Sequence, residues 1–382
     1  MASIRNAKKI LSTFRENGFD AYIVGGAVRD YIMGVESNDI DITTNARPRD
    51  TMRIFDKVLT TGIKYGTVTI LHNEDKYEIT TFRTDGPSDD NRHPDYIYYG
   101  NSIEEDVFRR DFTINGLLMN EEGKIIDFVE GKIDIEKNII RTIGEPTKRF
   151  NEDALRMIRA FYLRSKLNFK IEKNTLISIK ENKKLLDNIS KERLFNELIK
   201  ILKGNYNMNA LIDLKDNNIQ KHLPGFNKPI EILIRKNIKF KTDTVFSLGY
   251  FYNQSEMEYW PISNKHKNKY LKASNRAKSK RKIDKFDLYE LGLEIAILAA
   301  RIMNIVYDTE FSKSKLKSKY NKLEIKSILD LKIKPREMMA LKHKKAGAWI
   351  KEIQKEFVIK ILKGDLENSK ESLFREYREN YL

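Results

Sequence analysis

Hydrophobic positions in the first third of the chain change period repeatedly. Ile4, Ala7, Ile10, Leu11 and Phe14 recur at helical spacing and predict an amphipathic helix over residues 4–17, ended by Asn17-Gly18. The apolar run Ala21–Val24 predicts a short strand. Gly25-Gly26 then opens a helix carrying Val28, Tyr31, Ile32 and Met33, with Gly34 as its stop. Asp39–Thr44 alternates polar and apolar residues, as a strand with one buried face does. Pro48 suits the first turn of a helix running through Phe55, and Gly66–Leu71 and Lys76–Arg83 predict two further strands. Residues 84–95, TDGPSDDNRHPD, have the composition of a loop. Ser102–Phe108 predicts a helix, and Leu117–Met119 with Ile125–Phe128 a last strand pair.

After about residue 142 the strand signals fade and helical periodicity continues to the C-terminus. The expected fold class is therefore α+β: a mixed-sheet head over residues 1–142, followed by all-helical neck (143–204), body (205–285) and tail (286–382) domains. A turn is expected at Leu223-Pro224-Gly225. The longest apolar run, Leu291 to Tyr307, is interrupted by Glu294 and Arg301, so it predicts a buried helix rather than a membrane span. The first residues, MASIRNAKKILSTFRENG, lack the apolar core of a signal peptide, and a cytoplasmic protein with no membrane association is expected.

Composition sharpens this. The absence of cysteine excludes a disulfide framework and thiolate metal sites. Lys and Arg total 71 against 55 Asp and Glu, a formal charge of +16 that favours a polyanionic partner such as nucleic acid. The most basic stretch is 264–285, NKHKNKYLKASNRAKSKRKIDK.

The candidate chemistry begins at Asp39 and Asp41. Two residues apart on a strand, they share a face, and their mutual repulsion is relieved by hard divalent cations. A pair of such ions about 4 Å apart activates an attacking hydroxyl and stabilises a leaving group. Glu78, in the strand signal KYEITTFR, is a third candidate carboxylate, to complete the metal cage or accept a proton. Gly25 and Gly26, between strand and helix, allow backbone amides to approach a phosphate, and Arg29 one turn on is a candidate clamp. Neither a Walker A loop nor a dinucleotide-binding fingerprint occurs. Asp153, Arg156 and Arg159 are spaced by three, which places them along one side of a helix. Cytosine and adenine both present an exocyclic amine beside a ring-nitrogen acceptor. A carboxylate and a guanidinium, such as Asp153 and Arg156, can match that pair and reject uracil and guanine; an ordinary Asp–Arg surface pair at helical spacing is the alternative on spacing alone.

Taken together, Gly25-Gly26, Arg29-Asp30 and the aspartate pair resemble the signature of nucleotidyltransferases of the DNA polymerase β type. More narrowly, the chain resembles class II tRNA nucleotidyltransferases, the CCA-adding enzymes, which are related to bacterial poly(A) polymerases. Arg109-Arg110-Asp111-Phe112-Thr113-Ile114-Asn115, the run from Arg149 to Ala160, Ser190-Lys191-Glu192-Arg193 with Glu197, and the tail segments Gly347–Lys351 and Gly364–Asn368 resemble further family blocks in order. The resemblance implies addition of C, C and A to the 3′ end of tRNA from CTP and ATP, with two Mg²⁺ ions. It implies Asp39 and Asp41 as metal ligands; Glu78 stays a candidate catalytic carboxylate on its strand context alone. Gly26, Arg29, Arg110, Asp153, Arg156, Arg159 and Tyr162 would contact the nucleotide. Tyr162 stands where many members have arginine, with Arg164 close by. Residues 84–95 match the loop associated with switching from C to A. No histidine is followed by aspartate, which argues against a metal phosphohydrolase domain. A poly(A) polymerase, an A-only-adding enzyme and a catalytically inactive RNA-binding protein on this fold are the alternatives. Monomer and homodimer both remain open.

Overall fold

The computed structural model describes residues 3–37, 39–73, 75–85, 97–100 and 102–382. The chain forms two compact units, Met1–Leu223 and Pro224–Leu382, divided at the expected turn.

The first unit opens with helix α1 (Ile4–Glu16), capped by the Ser3 hydroxyl, which accepts from the Asn6 amide at 3.2 Å. Ala7, Ile10, Leu11 and Phe14 are the face it buries, as their spacing predicts. Strand β1 (Ala21–Val24), helix α2 (Gly26–Ile32) and strand β2 (Asp41–Thr44) follow. Next come α3 (Pro48–Ile54), β3 (Val58–Leu59), β4 (Thr67–His72) and β5 (Asp75–Thr81). A hairpin of β6 (Arg83–Asp85) and β7 (Ile97–Tyr99) flanks the expected 84–95 loop, most of which lies outside the described residues. Helix α4 (Ile103–Phe108) and strands β8 (Leu118–Met119) and β9 (Ile125–Ile126) complete the sheet.

The sheet has seven strands in the order β3-β4-β5-β2-β1-β8-β9. It is mixed: β2 runs parallel to β5 and the other pairs are antiparallel. Asp41 opens β2 in register with Glu78 of β5 on one side and Val24 of β1 on the other. The expected strand thus starts two residues late. Asp39 precedes it and is exposed, so the two aspartates are not a same-face pair on one strand.

Helix α5 (Gly131–Glu136) and strand β10 (Ile139–Ile140) lead out of the head, and β10 pairs in parallel with β11 (Lys170–Ile171), a short strand the sequence pattern conceals. Between them lie α6 (Pro146–Glu152) and α7 (Leu155–Leu167); α8 (Lys173–Asn182), α9 (Lys191–Lys203) and α10 (Asn207–Asp216) follow. At the end of α9, Gly204 sits hard against α7: a Cβ there would lie 1.9 Å from Ser165 Oγ.

The second unit is helical throughout: α11 (Asn227–Lys236), α12 (Thr242–Tyr252), α13 (Gln254–Met257), α14 (Asn264–Lys278), α15 (Lys285–Tyr307), α16 (Lys313–Asn321), α17 (Pro335–Lys342), α18 (Ala348–Lys363) and α19 (Lys370–Tyr381). The apolar run from Leu291 is the inner part of α15, which is broken at Gly292 (φ +71°). Among the described residues no helix is long and apolar enough to cross a membrane. The basic stretch is more ordered than its composition suggests. Tyr270, Ala273, Ser274 and Ala277 of α14 are buried at helical spacing. Lys269 is held by Asp243 and Glu294, and Arg276 by Asp287 at 2.5 Å.

Candidate active site

The site is built where β1 ends and β2 begins. Gly25 has φ +76° and ψ −137°, a region open essentially to glycine alone, and this turns the chain from β1 into α2. A Cβ at Gly25 would stand 3.9 Å from both Asp41 Oδ2 and Arg110 Nη1, so this turn, the carboxylate and the guanidinium are close neighbours.

Asp41 is the electrostatic centre. Burial, then the nearby charges of Asp39 and Glu78, raise its pKa from 3.8 to about 6, although Arg110 and Arg159 pull the other way. Its two carboxylate neighbours and two guanidinium neighbours are the sequence-predicted set, brought together from the head and from α7. Glu78 is exposed beside it. Among the described residues no three carboxylate or imidazole groups form a ready-made metal cage. The Asp39–Asp41 pair still fits a hard divalent cation that takes one or two protein carboxylates and completes its shell with water and substrate phosphates.

Arg110 is positioned by a residue the sequence reading passed over. Asp106, fully buried in α4, accepts from Arg110 Nη2 at 2.8 Å and from Arg109 at 2.6 and 3.0 Å, and lies 3.2 Å from the Thr43 hydroxyl. Burial pushes its pKa up, but Arg110 and Arg109 together hold it below the ordinary value. Asp106 stands three and four residues before these arginines on one helical turn, a spacing that could have revealed it.

Arg29 is placed differently from the expected clamp. It is 2% exposed, and its guanidinium donates to Asp30 at 2.6 and 2.9 Å and to Asn115 at 2.6 Å. Its visible role is to tie α2 to the Arg109–Asn115 segment. Lys166 of α7 reaches the same Asp30 at 3.2 Å.

The expectation for Asp153, Arg156 and Arg159 needs the largest correction. They do not share a helix. Asp153 has φ −151° and ψ 102° and separates α6 from α7. Its carboxylate accepts from the Leu155 amide at 3.0 Å, a local bond that competes with helix continuation. Its other oxygen takes Arg193 of α9 at 2.7 Å. The acid facing Arg156 is Glu152, at 2.8 Å; Arg156 also donates to the carbonyls of Arg149 and Arg109 at 3.0 and 2.9 Å. Arg159 donates to Asp111 at 2.8 Å; burial pushes the pKa of that carboxylate up, but Arg159 above all holds it below its ordinary value. Asp111, chiefly, raises the pKa of Arg159 in turn, with Glu197 and Asp153 adding to it.

Tyr162 lies beneath Lys200, whose ammonium is 5.5 Å from the ring centroid and which also pairs with the buried Glu197 at 2.7 Å. Arg164 is committed elsewhere, to Asp213 at 2.6 Å and to Asn168.

Arg193 thus bonds Asp153 and Arg159 bonds Asp111, while the charges of Arg159 and Arg110 act on Asp41, so these groups form one electrostatic cluster. It can hold a polyphosphate against cations while offering polar groups to a base.

Residues 21–141 match the family model described as poly A polymerase head domain. Residues 168–228 match "Probable RNA and SrmB- binding site of polymerase A", and 244–376 match the model described as tRNA nucleotidyltransferase domain 2. The chain is 38% identical to a CCA-adding enzyme of Ligilactobacillus salivarius over 97% of this chain and 95% of the relative. It is 34% identical to one of Bacillus mycoides over 98% of each. The crystal structure of the Bacillus stearothermophilus CCA-adding enzyme in complex with CTP superposes with a TM-score of 0.85, at 32% identity and 99% coverage of both chains. With this agreement along its whole length, the chain belongs to the family of CCA-adding enzymes, nucleotidyltransferases with a poly(A)-polymerase-type head.

Proposed function

We propose that this chain adds C, C and A to the 3′ end of tRNA, using CTP and ATP and releasing pyrophosphate. The observation that carries the reading is the charge arrangement at Asp41: three neighbouring carboxylates faced by Arg110 from the head and Arg159 from α7. Like charges at such a point suit cations and a triphosphate, not an apolar ligand.

In this reading residues 1–142 form the catalytic head, 143–204 the base-reading neck, and 205–285 and 286–382 the body and tail that hold tRNA. Asp39 and Asp41 would hold magnesium, which when bound would neutralise phosphate charge as the tRNA 3′-hydroxyl attacks the α-phosphorus. Arg110, fixed by Asp106, receives the phosphates beside the Gly25-Gly26 turn. Glu78, exposed next to Asp41, is placed to take the hydroxyl proton. Arg29 braces that turn through Asp30 and Asn115.

Base selection falls to Asp153 and Arg156, and both keep capacity for it. The Arg156 guanidinium has five N–H donors, three of which are used among the described residues. The Asp153 carboxylate accepts two hydrogen bonds, leaving lone pairs for an exocyclic amine. Tyr162 and Lys200 border the same region through Glu197 and Arg159.

The deciding experiment supplies tRNA ending at its discriminator base with labelled CTP alone. Incorporation of C is expected; its absence would leave an A-only or poly(A) activity. Asp39→Ala is expected to abolish incorporation while sparing tRNA binding. An intact protein as inert as that variant would be an RNA-binding protein on this fold.

A further inference from the structure

The second unit holds a cavity of about 670 Å³, within the usual range of roughly 300–1,000 Å³ for small-molecule sites. Four lysines line it: Lys280, Lys282, Lys315 and Lys319. They come from two elements. Lys280 and Lys282 lie on the irregular link between α14 and α15, and Lys315 and Lys319 are one turn apart on α16.

The link is fixed in this shape. Lys280 adopts φ +56°, a left-handed conformation unfavourable for a lysine, directly after the α14 cap. Arg276 Nη2 donates to the Lys282 carbonyl at 3.0 Å. Arg281, between the two lysines, pairs instead with Asp284 and Asp287. One cation of three is thus neutralised locally, while its two neighbours line the cavity. Among the described residues none of the four lysine ammonium groups pairs with a carboxylate. Lys280 rests over the Tyr307 ring at 5.0 Å, and Glu310 is the only acid in the lining. The floor is apolar and includes Ile283, Met303 and Leu316, with Phe311 beside them.

We propose that this cavity is a second, non-catalytic site for a single phosphorylated nucleoside, its ring on the apolar floor and its phosphates among the four lysines. The ligand chemistry follows from the lining: cations without acid partners favour a polyanion, and the floor favours a flat, weakly polar body. The lining contains no carboxylate–arginine pair of the kind proposed to sort bases in the head, so guanine is accepted here as readily as adenine. The same chemistry is supplied by a free nucleotide or by an unstacked nucleotide of bound RNA.

GTP is therefore the probe, since the head, in the function proposed above, discriminates against guanine. Equilibrium dialysis of the full chain with labelled GTP at low salt is expected to show one saturable site that weakens as salt rises. Lys280→Gln with Lys282→Gln, or Lys315→Gln with Lys319→Gln, should weaken binding by about tenfold or more, as loss of charge-assisted contacts does. Lys315→Arg with Lys319→Arg should retain it, and thermal melting of each variant separates lost binding from lost folding. Absence of saturable GTP binding overturns the proposal. So does binding that is lost in Arg110→Ala yet unchanged in both lysine pairs, which would put GTP in the head and count against base selection there. A short oligouridylate that displaces GTP only when the lysines are intact assigns the occupant to RNA. Failure to displace assigns it to the free nucleotide, and either result supports the site.

Discussion

Asp41→Asn should stabilise the metal-free protein while destroying its activity. The pKa of Asp41 rises from 3.8 to about 6 on folding, because of burial first and then Asp39 and Glu78. Each unit is worth about 1.4 kcal/mol, giving an upper figure near 3 kcal/mol. Asp41 is only partly buried, and solvent screening reduces this to about 1–2 kcal/mol. The sign follows from linkage. With a folded pKa above the unfolded one, the favourable contribution is fully present below 3.8 and is lost as pH rises through about 6. Urea denaturation in a chelator at pH 7.5 should therefore find Asp41→Asn more stable than the unsubstituted chain by about 1–2 kcal/mol, with the gap closing towards pH 4. Added Mg²⁺ should stabilise the unsubstituted chain and not the variant, and nucleotide incorporation by the variant should fall by about a hundredfold or more. A variant no more stable than its parent at pH 7.5, or a gap independent of pH, would refute the assignment of Asp41 as the point of concentrated negative charge.

Asp153→Ala and Arg156→Ala should relax discrimination against UTP and GTP as well as slow addition, measured as the ratio of kcat/KM across the four nucleotides; an unchanged ratio would remove them from base selection. Gly204→Ala should destabilise the first unit by about 1–3 kcal/mol or more, because its Cβ would enter the Ser165 side chain and backbone, while nucleotide discrimination stays as it was. In the basic stretch, Lys269→Gln should lower the melting temperature, since it removes the partner of Asp243 and Glu294. By contrast, Lys265→Gln with Lys272→Gln, both exposed, should leave melting unaltered and flatten the salt dependence of tRNA binding by up to about 0.7–0.9 per lysine. An unaltered salt slope would make that face a solvated surface only.

Much of the architecture was legible without coordinates. The 7-10-11-14 spacing of α1, the glycine pair after β1 and the loss of alternating patterns after residue 142 are local properties. They gave the α+β class, the helical remainder and the ordered motifs that mark the family. The same motifs named the residues around Asp41, because chain order suffices when a motif is read whole.

Side-chain partnership was not legible in this way. Spacing by three suggested one helix face for Asp153, Arg156 and Arg159, but the Asp153 carboxylate takes a backbone amide two residues on and ends α6 there. Periodicity cannot register a local hydrogen bond that outweighs helix continuation. Arg29 looked like a free clamp until Asn115, 86 residues away, was seen to hold it. The lysines at 280 and 282 read as part of an undivided basic run. Only the fold shows Arg281 drawn to Asp284 and Asp287 while its neighbours line a cavity with α16. The sequence by itself determined which kinds of groups are present and which segments carry them. Tertiary structure decided which charges neutralise one another and which remain available, because that depends on distances between segments that no spacing along the chain encodes.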